Sequence, residues 1–200
     1  MNTDRVRTEF DPASGSVYRL LNSVVVPRPI AWVSSTSPSG VDNLAPHSFF
    51  TVSSVSPPVV QFTSVGEKDT LRNVRATGEF VVNLATEAMF EAINETATDY
   101  PPEIGEFDAA GVAREPSARV KPPRVAGSPV ALECRVHDII AVGDCFVVMG
   151  EVLLLAIDPD VMIDGHPAVE RLRPLARLGR DEWSTIGAVR EIKRRRYADG

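Results

Sequence analysis

The chain has 200 residues, 44% of them hydrophobic and 24% charged, with 21 basic and 27 acidic side chains and a net charge of −6. That length supports one well-packed domain of ordinary soluble composition and is short for two. The longest strongly apolar stretch, 147–157, is interrupted by Gly150 and Glu151 and is too short to span a bilayer as a helix, so no membrane role is expected.

The N-terminal residues carry charges with no apolar core behind them, which predicts no secretory signal and a cytoplasmic protein. Two cysteines, Cys134 and Cys145, lack a CxxC spacing and read as reduced thiols, with a redox disulfide as the alternative. Charge is uneven: residues 1–170 hold 12 basic and 23 acidic groups, whereas 171–200 hold 9 and 4. The run Lys193-Arg-Arg-Arg could suggest nucleic acid, but it lacks interleaved aromatics and the acidic body would repel phosphates. It reads as a solvated tail or one packing on an acidic partner subunit.

In chain order, 29–35 alternates and predicts a strand, Pro38-Ser-Gly40 a turn, and 42–54 the next strand. Pro57-Pro58 introduces a third over 59–64. Asp69 or Thr70 is a natural cap for a short helix over 70–77, with Leu71 and Val74 on one side and Gly78 as its stop. A strand over 79–85 follows, then a helix capped by Thr86 that buries Met89, Phe90 and Ile93. Residues 98–128 are rich in Pro and Gly and predict a long excursion with one helical turn over 103–110. A loop of that length is expected to be functional or interfacial. Two long antiparallel strands fill 130–157 around Ala141-Val-Gly-Asp144, and an irregular segment closes on Leu175-Ala-Arg-Leu-Gly179. Many short strands with few helices predict a mainly β, antiparallel barrel, not a doubly wound α/β fold.

Three constellations could carry chemistry. Glu67-Lys68-Asp69-Thr70 opens a helix, whose unpaired amides, with Lys68 and the Thr70 hydroxyl, suit a phosphate. The same tetrapeptide also fits a plain cap beside a solvated lysine. Ser34, Ser35 and Thr36 end one strand while Asn43, Ala45, Pro46 and Ser48 begin the next. Pro46 interrupts ladder pairing and frees polar groups for a planar ligand, or the side chains simply bond locally. His47 lies in the same strand and is the one weak catalytic candidate, as a proton relay or as filler. His137 reads as packing and His166 as a loop residue, and no metal-ligand spacing exists. No nucleophile elbow, Walker loop or GxGxxG fingerprint is present, so a nicotinamide cofactor would not be held by a Rossmann unit.

The ordered set Pro27-Arg-Pro-Ile-Ala-Trp-Val-Ser-Ser, Asn43-Leu-Ala-Pro-His-Ser-Phe-Phe, Lys68-Asp-Thr-Leu-Arg-Asn, Gly78-Glu-Phe-Val-Val-Asn, Pro129-Val-Ala-Leu-Glu-Cys and Leu172-Arg-Pro-Leu-Ala-Arg-Leu-Gly179 resembles the flavin reductase-like family of FMN-binding split barrels. The resemblance implies a domain over 17–183, after an N-terminal extension (1–16) and before a basic tail (184–200). It implies a homodimer with FMN, less often FAD, at the subunit interface and NAD(P)H as a transient reductant. By it, Ser34, Ser35, Thr36 and Asn43 to Ser48 would line the flavin ring. Ser64, Lys68, Asp69 and Thr70 would hold the ribityl phosphate, assisted by Arg28. Electrons would pass to free flavin or a partner monooxygenase, or to oxygen and a small organic substrate on the same flavin. Arg180 and Trp183 depart from the family's glycine and tyrosine, and an arginine there would suit an anionic substrate or the phosphates of the nicotinamide cofactor, or lie on the surface. The rivals are a flavoprotein oxygenase, a carrier or sensor of flavin or haem with His47, His137 or His166 as axial ligand, and an RNA-associated factor using the tail.

Overall fold

A computed structural model describes residues 7–197, so part of the expected extension (1–6) and the last three residues of the tail lie outside the described residues. Seven strands make one antiparallel sheet: β1 (Ala31–Thr36), β2 (Asp42–His47), β3 (Phe50–Val55), β4 (Pro58–Val65), β5 (Glu79–Leu84), β6 (Val130–Val142) and β7 (Cys145–Ile157). Their order across the sheet is β2-β1-β5-β6-β7-β4-β3. The two edge strands, β2 and β3, are consecutive in the chain and separated only by Ser48 and Phe49. A sheet joined edge to edge by two residues must roll up, which is how this chain limits its open edges. The single strand expected over 42–54 is therefore two, bent at Ser48 and Phe49, where the Phe49 carbonyl turns to accept from the Thr63 amide at 2.9 Å.

One α-helix, α1 (Tyr18–Val24), precedes the sheet. Alternation along β1 divides the core. Ala31 and Val33 point to one face, where they meet Phe62, Phe80, Val82, Val148 and the apolar side of α2 (Asp69–Thr77), Leu71 and Val74. Ile30 and Trp32 point to the other, joining Leu44, Ile93, Phe107 and Leu175. Gly78 ends α2 in the left-handed region, as expected. The next helix is a 3-10 turn (Glu87–Met89) running into α3 (Phe90–Glu95). It buries Ile93, but Phe90 is exposed, set edge-on to Trp183 at 5.2 Å.

The excursion 98–128 contains one short helix, α4 (Glu106–Ala109), and is tied down by buried Glu133 of β6. That carboxylate accepts from the amides of Ala118 (2.9 Å) and Arg119 (2.5 Å) and from Nε of Arg124 (2.8 Å). Cys145 sits at the hairpin end of the β6–β7 ladder, opposite Val142, and Cys134 in its interior, opposite Val152, so the two are apart and both are free. Burial pushes the Cys134 thiol up to about 12, which makes it inert near neutral pH. His137 is exposed, not packed, and His166 belongs to a two-residue strand (His166–Pro167). Among the described residues no helix is long and apolar enough to cross a membrane.

Candidate functional site

β2 pairs with β1 on one side only, so its outer edge is free of sheet bonding. The Leu44 amide points to that outer edge, since it donates to Glu106 Oε2 at 2.9 Å. Pro46, two residues on, shares the same edge, so its missing N–H costs the β1–β2 ladder nothing. Beyond this edge lies a cleft of about 430 Å³. Its walls are Asn43 to Phe49 without Leu44, Thr63 and Val65 of β4, Lys68 to Thr70 at the start of α2, Thr96 to Tyr100, Glu106, Tyr18 and Arg177.

The start of α2 opens into this cleft. Lys68 is its N-cap residue and makes no side-chain cap bond, so the first amides of the helix and its positive dipole end face the cleft uncapped. Lys68 Nζ reaches Asp99 Oδ1 at 2.8 Å, with both side chains largely exposed. The Asp69 carboxylate, at the first position of α2 and in the cleft wall, is paired with Arg72 of the same helix.

Behind the wall runs a buried polar chain. Thr70 Oγ1 donates to Asn43 Oδ1 (2.8 Å), which also accepts from Ser35 Oγ (3.2 Å), while Asn43 Nδ2 donates to Glu106 Oε2 (2.8 Å). His47 Nε2 lies 3.4 Å from Thr70 Oγ1. Burial pushes His47 down to about 4, against a hydrogen bond to the Thr63 backbone that raises it and the Lys68 charge that lowers it further. The lowered pKa favours the neutral ring, which keeps one N–H and one acceptor nitrogen and carries no charge into the cleft. Burial raises the Glu106 carboxyl above its ordinary value, against the amide of Leu44 and the amide group of Asn43.

Of the residues singled out in the sequence, Asn43, Ala45, Pro46, His47, Ser48, Lys68, Asp69 and Thr70 come together around the cleft. Ser34, Ser35, Thr36 and Ser64 do not reach it. The Ser34 hydroxyl donates to the Pro123 carbonyl (2.5 Å), Ser35 bonds Asn43, Thr36 bonds Asp42 (2.7 Å), and Ser64 turns back to the Gly66 carbonyl (2.9 Å). Trp183 does not line the cleft either; it packs against Phe90 and beneath the Arg177 guanidinium, 4.8 Å from the ring centroid.

Arg28 lies instead against a second cavity of about 780 Å³, which shares Tyr18, Ser48 and Arg177 with the cleft. Sequence reasoning did not single out Tyr18, Thr63, Glu106, Arg177 or the segment after α3. That segment is fixed by Thr96, whose Oγ1 accepts from Trp32 Nε1 at 2.9 Å and donates to the Ile93 carbonyl at 3.0 Å. The one available signal was the length of the excursion.

The sequence model described as flavin reductase like domain matches residues 23–169. An uncharacterized protein of Aquifex aeolicus is 41% identical over 171 residues, covering 82% of this chain and 87% of its own. Nitrilotriacetate monooxygenase component B from Bacillus cereus superposes with a TM-score of 0.90 at 29% identity, over 94% of this chain and all of that one (100%). The 2-nitrobenzoate 2-nitroreductase of Pseudomonas fluorescens gives 0.88 at 27% identity, over 95% and 98%. A Shewanella frigidimarina protein with a split barrel domain, 19% identical, shares the fold with a TM-score of 0.82 over 88% and 91%.

Proposed function

The chain belongs to the flavin reductase-like domain family and is a flavin-dependent oxidoreductase, and from that premise we propose that it holds FMN non-covalently in the cleft and takes its electrons from NAD(P)H. The observation that carries this reading is the junction of two main-chain surfaces in one cleft: the start of α2, which has no side-chain cap, with Lys68 and Thr70, and the outer edge of β2 from Asn43 to Ser48, which pairs with no strand and whose Leu44 amide is held by Glu106. The first suits a phosphate. The second offers carbonyls and small side chains in a row, which suits the edge of a planar heterocycle. The cleft lies in the volume range of small-molecule sites, roughly 300–1,000 Å³, and fits a mononucleotide better than the longer FAD.

The chemistry FMN supplies when bound is acceptance of a hydride from reduced nicotinamide and release of two electrons to an acceptor. The chain's own residues bind and orient. Lys68 and the α2 amides neutralise the phosphate. The Thr70–Asn43 and Asn43–Glu106 bonds hold β2, α2 and the excursion in one geometry, and neutral His47 fills the floor without adding charge. With no GxGxxG loop, NAD(P)H would stack transiently over the open ring face.

The reading extends to a cytoplasmic homodimer that passes electrons to a partner oxygenase, a role suggested by the Bacillus cereus component B. Exposed Val52 and Val55 on edge strand β3, with Ile140, Val142, Leu153 and Leu155 on the β6–β7 hairpin, support burial against a second copy. A second reading, direct action on a small organic substrate, is favoured by the way Thr98, Tyr100 and Glu106 of the excursion wall the cleft. The Pseudomonas fluorescens nitroreductase is consistent with it.

Titration with FMN and FAD, followed by visible absorption and flavin fluorescence, tests the reading. Saturable binding of one FMN per subunit, followed by NADH or NADPH oxidation, is expected. Failure to bind either flavin overturns it. Sedimentation then reports the oligomeric state, and turnover with and without an added nitroaromatic substrate separates the two enzymatic readings.

A further inference from the structure

The second cavity is walled by cations. Arg19, Arg28, Arg177 and Arg180 line it against one acid, Asp181. Arg28 is only 7% exposed, and its guanidinium donates to the main-chain carbonyls of Asn22, Val25 (2.9 Å) and Leu178 (2.7 Å). Three carbonyls fix its position and leave its charge unneutralised, since among the described residues no carboxylate forms an ion pair with it and its Nε has no hydrogen-bond partner. A buried charge without a counter-ion is normally avoided. Burial and the neighbouring Arg177 charge both hold its pKa below the ordinary arginine value, against a raising influence from Tyr18.

Arg180 is the second anomaly. Its φ is +51°, in the left-handed region that disfavours a side chain. It is held there by a tight turn in which the Leu178 amide reaches the Glu182 carbonyl and the Glu182 amide the Gly179 carbonyl. A strained arginine, a buried unneutralised one and a third stacked on Trp183 are pre-positioned donors that need little rearrangement to meet a negative group.

We propose that this arginine-lined cavity is an anion subsite, which takes the carboxylate or phosphate of the molecule that exchanges electrons in the adjoining cleft. The proposal rests on the flavin reading for the identity of that cleft. Carboxylate and phosphate share the geometry that a guanidinium fork reads, and the cavity adjoins the cleft, with Tyr18, Ser48 and Arg177 lining both. A ligand with its reacting end in the cleft can therefore keep its charged end among the arginines. Two sources have this chemistry: the phosphates of the nicotinamide cofactor and an acidic organic substrate.

The test titrates the full chain with adenosine 2′,5′-bisphosphate and, separately, with benzoate, reading Trp183 fluorescence and heat. Saturable binding of the bisphosphate assigns the subsite to the cofactor, and saturable binding of benzoate assigns it to an organic acid. Arg180→Gly relieves the left-handed strain while removing the charge, and should weaken binding about tenfold. Arg180→Glu should abolish it, and circular dichroism confirms that both variants fold. If neither anion saturates the wild type, or the glycine variant binds as tightly, the proposal is overturned. The titrations work equally on flavin-free protein, so absence of flavin binding would defeat the functional reading while this one is still decided.

Discussion

One oxygen of Glu106 accepts from Nδ2 of Asn43 at 2.8 Å, and so joins the long excursion to the free edge of the sheet. The same oxygen takes the Leu44 amide at 2.9 Å. An edge strand next to a cleft would otherwise present an unpaired amide to whatever enters, and this carboxylate, itself part of the cleft wall, satisfies it.

Glu106→Ala should therefore cost about 1–3 kcal/mol, because Leu44 N–H and Asn43 Nδ2 lose their buried acceptor. Glu106→Gln keeps an acceptor oxygen and should be close to neutral. The pH dependence separates charge from geometry. Burial raises this carboxyl above its unfolded value, so its contribution is most favourable at acid pH and is lost as pH rises through the unfolded and then the folded pKa. Urea unfolding across that range should show the falling component in the wild type and not in Glu106→Gln; identical profiles would remove the buried charge from the account.

His47 acts in the opposite sense. Its folded value is about 4 against an ordinary 6.5, so the unfolded chain binds the proton first as pH falls. Stability from the neutral ring is complete above about 6.5 and is lost down to about 4, by up to about 3 kcal/mol. His47→Gln should flatten that limb of the stability curve. A variant as steep as the wild type would mean that another group carries the acid sensitivity.

Much of this architecture was legible in the sequence because it follows from local pattern. Alternation fixed the strands, Ala141-Val-Gly-Asp144 the hairpin, and Gly78 the end of α2. The cleft residues on β2 and α2 were legible because a proline on a strand and the start of a helix both advertise free backbone groups, although the expected cap, Asp69 or Thr70, lies one or two residues inside a helix whose N-cap is Lys68 and makes no side-chain cap bond. What failed depends on contacts distant in sequence. Ser34 is sealed by Pro123, 89 residues away, and Glu106 acts on Asn43 across 63 residues. The bend at Ser48 and Phe49 carries no Gly or Pro, and Phe90 falls at a helical core position yet meets Trp183 at the surface. Periodicity states which residues share a face, not which face meets a cleft.

The phosphate assignment at α2 can be isolated with two ligands. Lys68→Ala with Thr70→Ala should weaken FMN binding by at least about tenfold, and the Lys68 part should shrink with added salt. The fold should persist: the exposed Lys68–Asp99 pair contributes little, and Asn43 Oδ1 keeps its bond from Ser35. Riboflavin lacks the phosphate, so its affinity should be nearly the same in the wild type and the double variant. Equal losses for FMN and riboflavin would move the phosphate elsewhere.

Gly105 is the hinge on which the excursion reaches the cleft. It precedes α4 with an ordinary φ of −75°, so no backbone strain requires glycine there; what requires it is space, since a Cβ would overlap the Asp42 carbonyl oxygen. Gly105→Ala must push α4 off β2, stretching the bonds from Leu44 and Asn43 to Glu106 and shifting Phe107 within the second core. The expected outcome is a stability loss of about 1–3 kcal/mol, faster hydrogen exchange at Leu44 and weaker flavin binding. Gly187→Ala, where a Cβ meets nothing within 4 Å, is the matched control and should change none of the three. If Gly105→Ala loses stability but binds flavin as the wild type does, the excursion braces the fold without shaping the cleft, and Glu106 belongs to the structure alone.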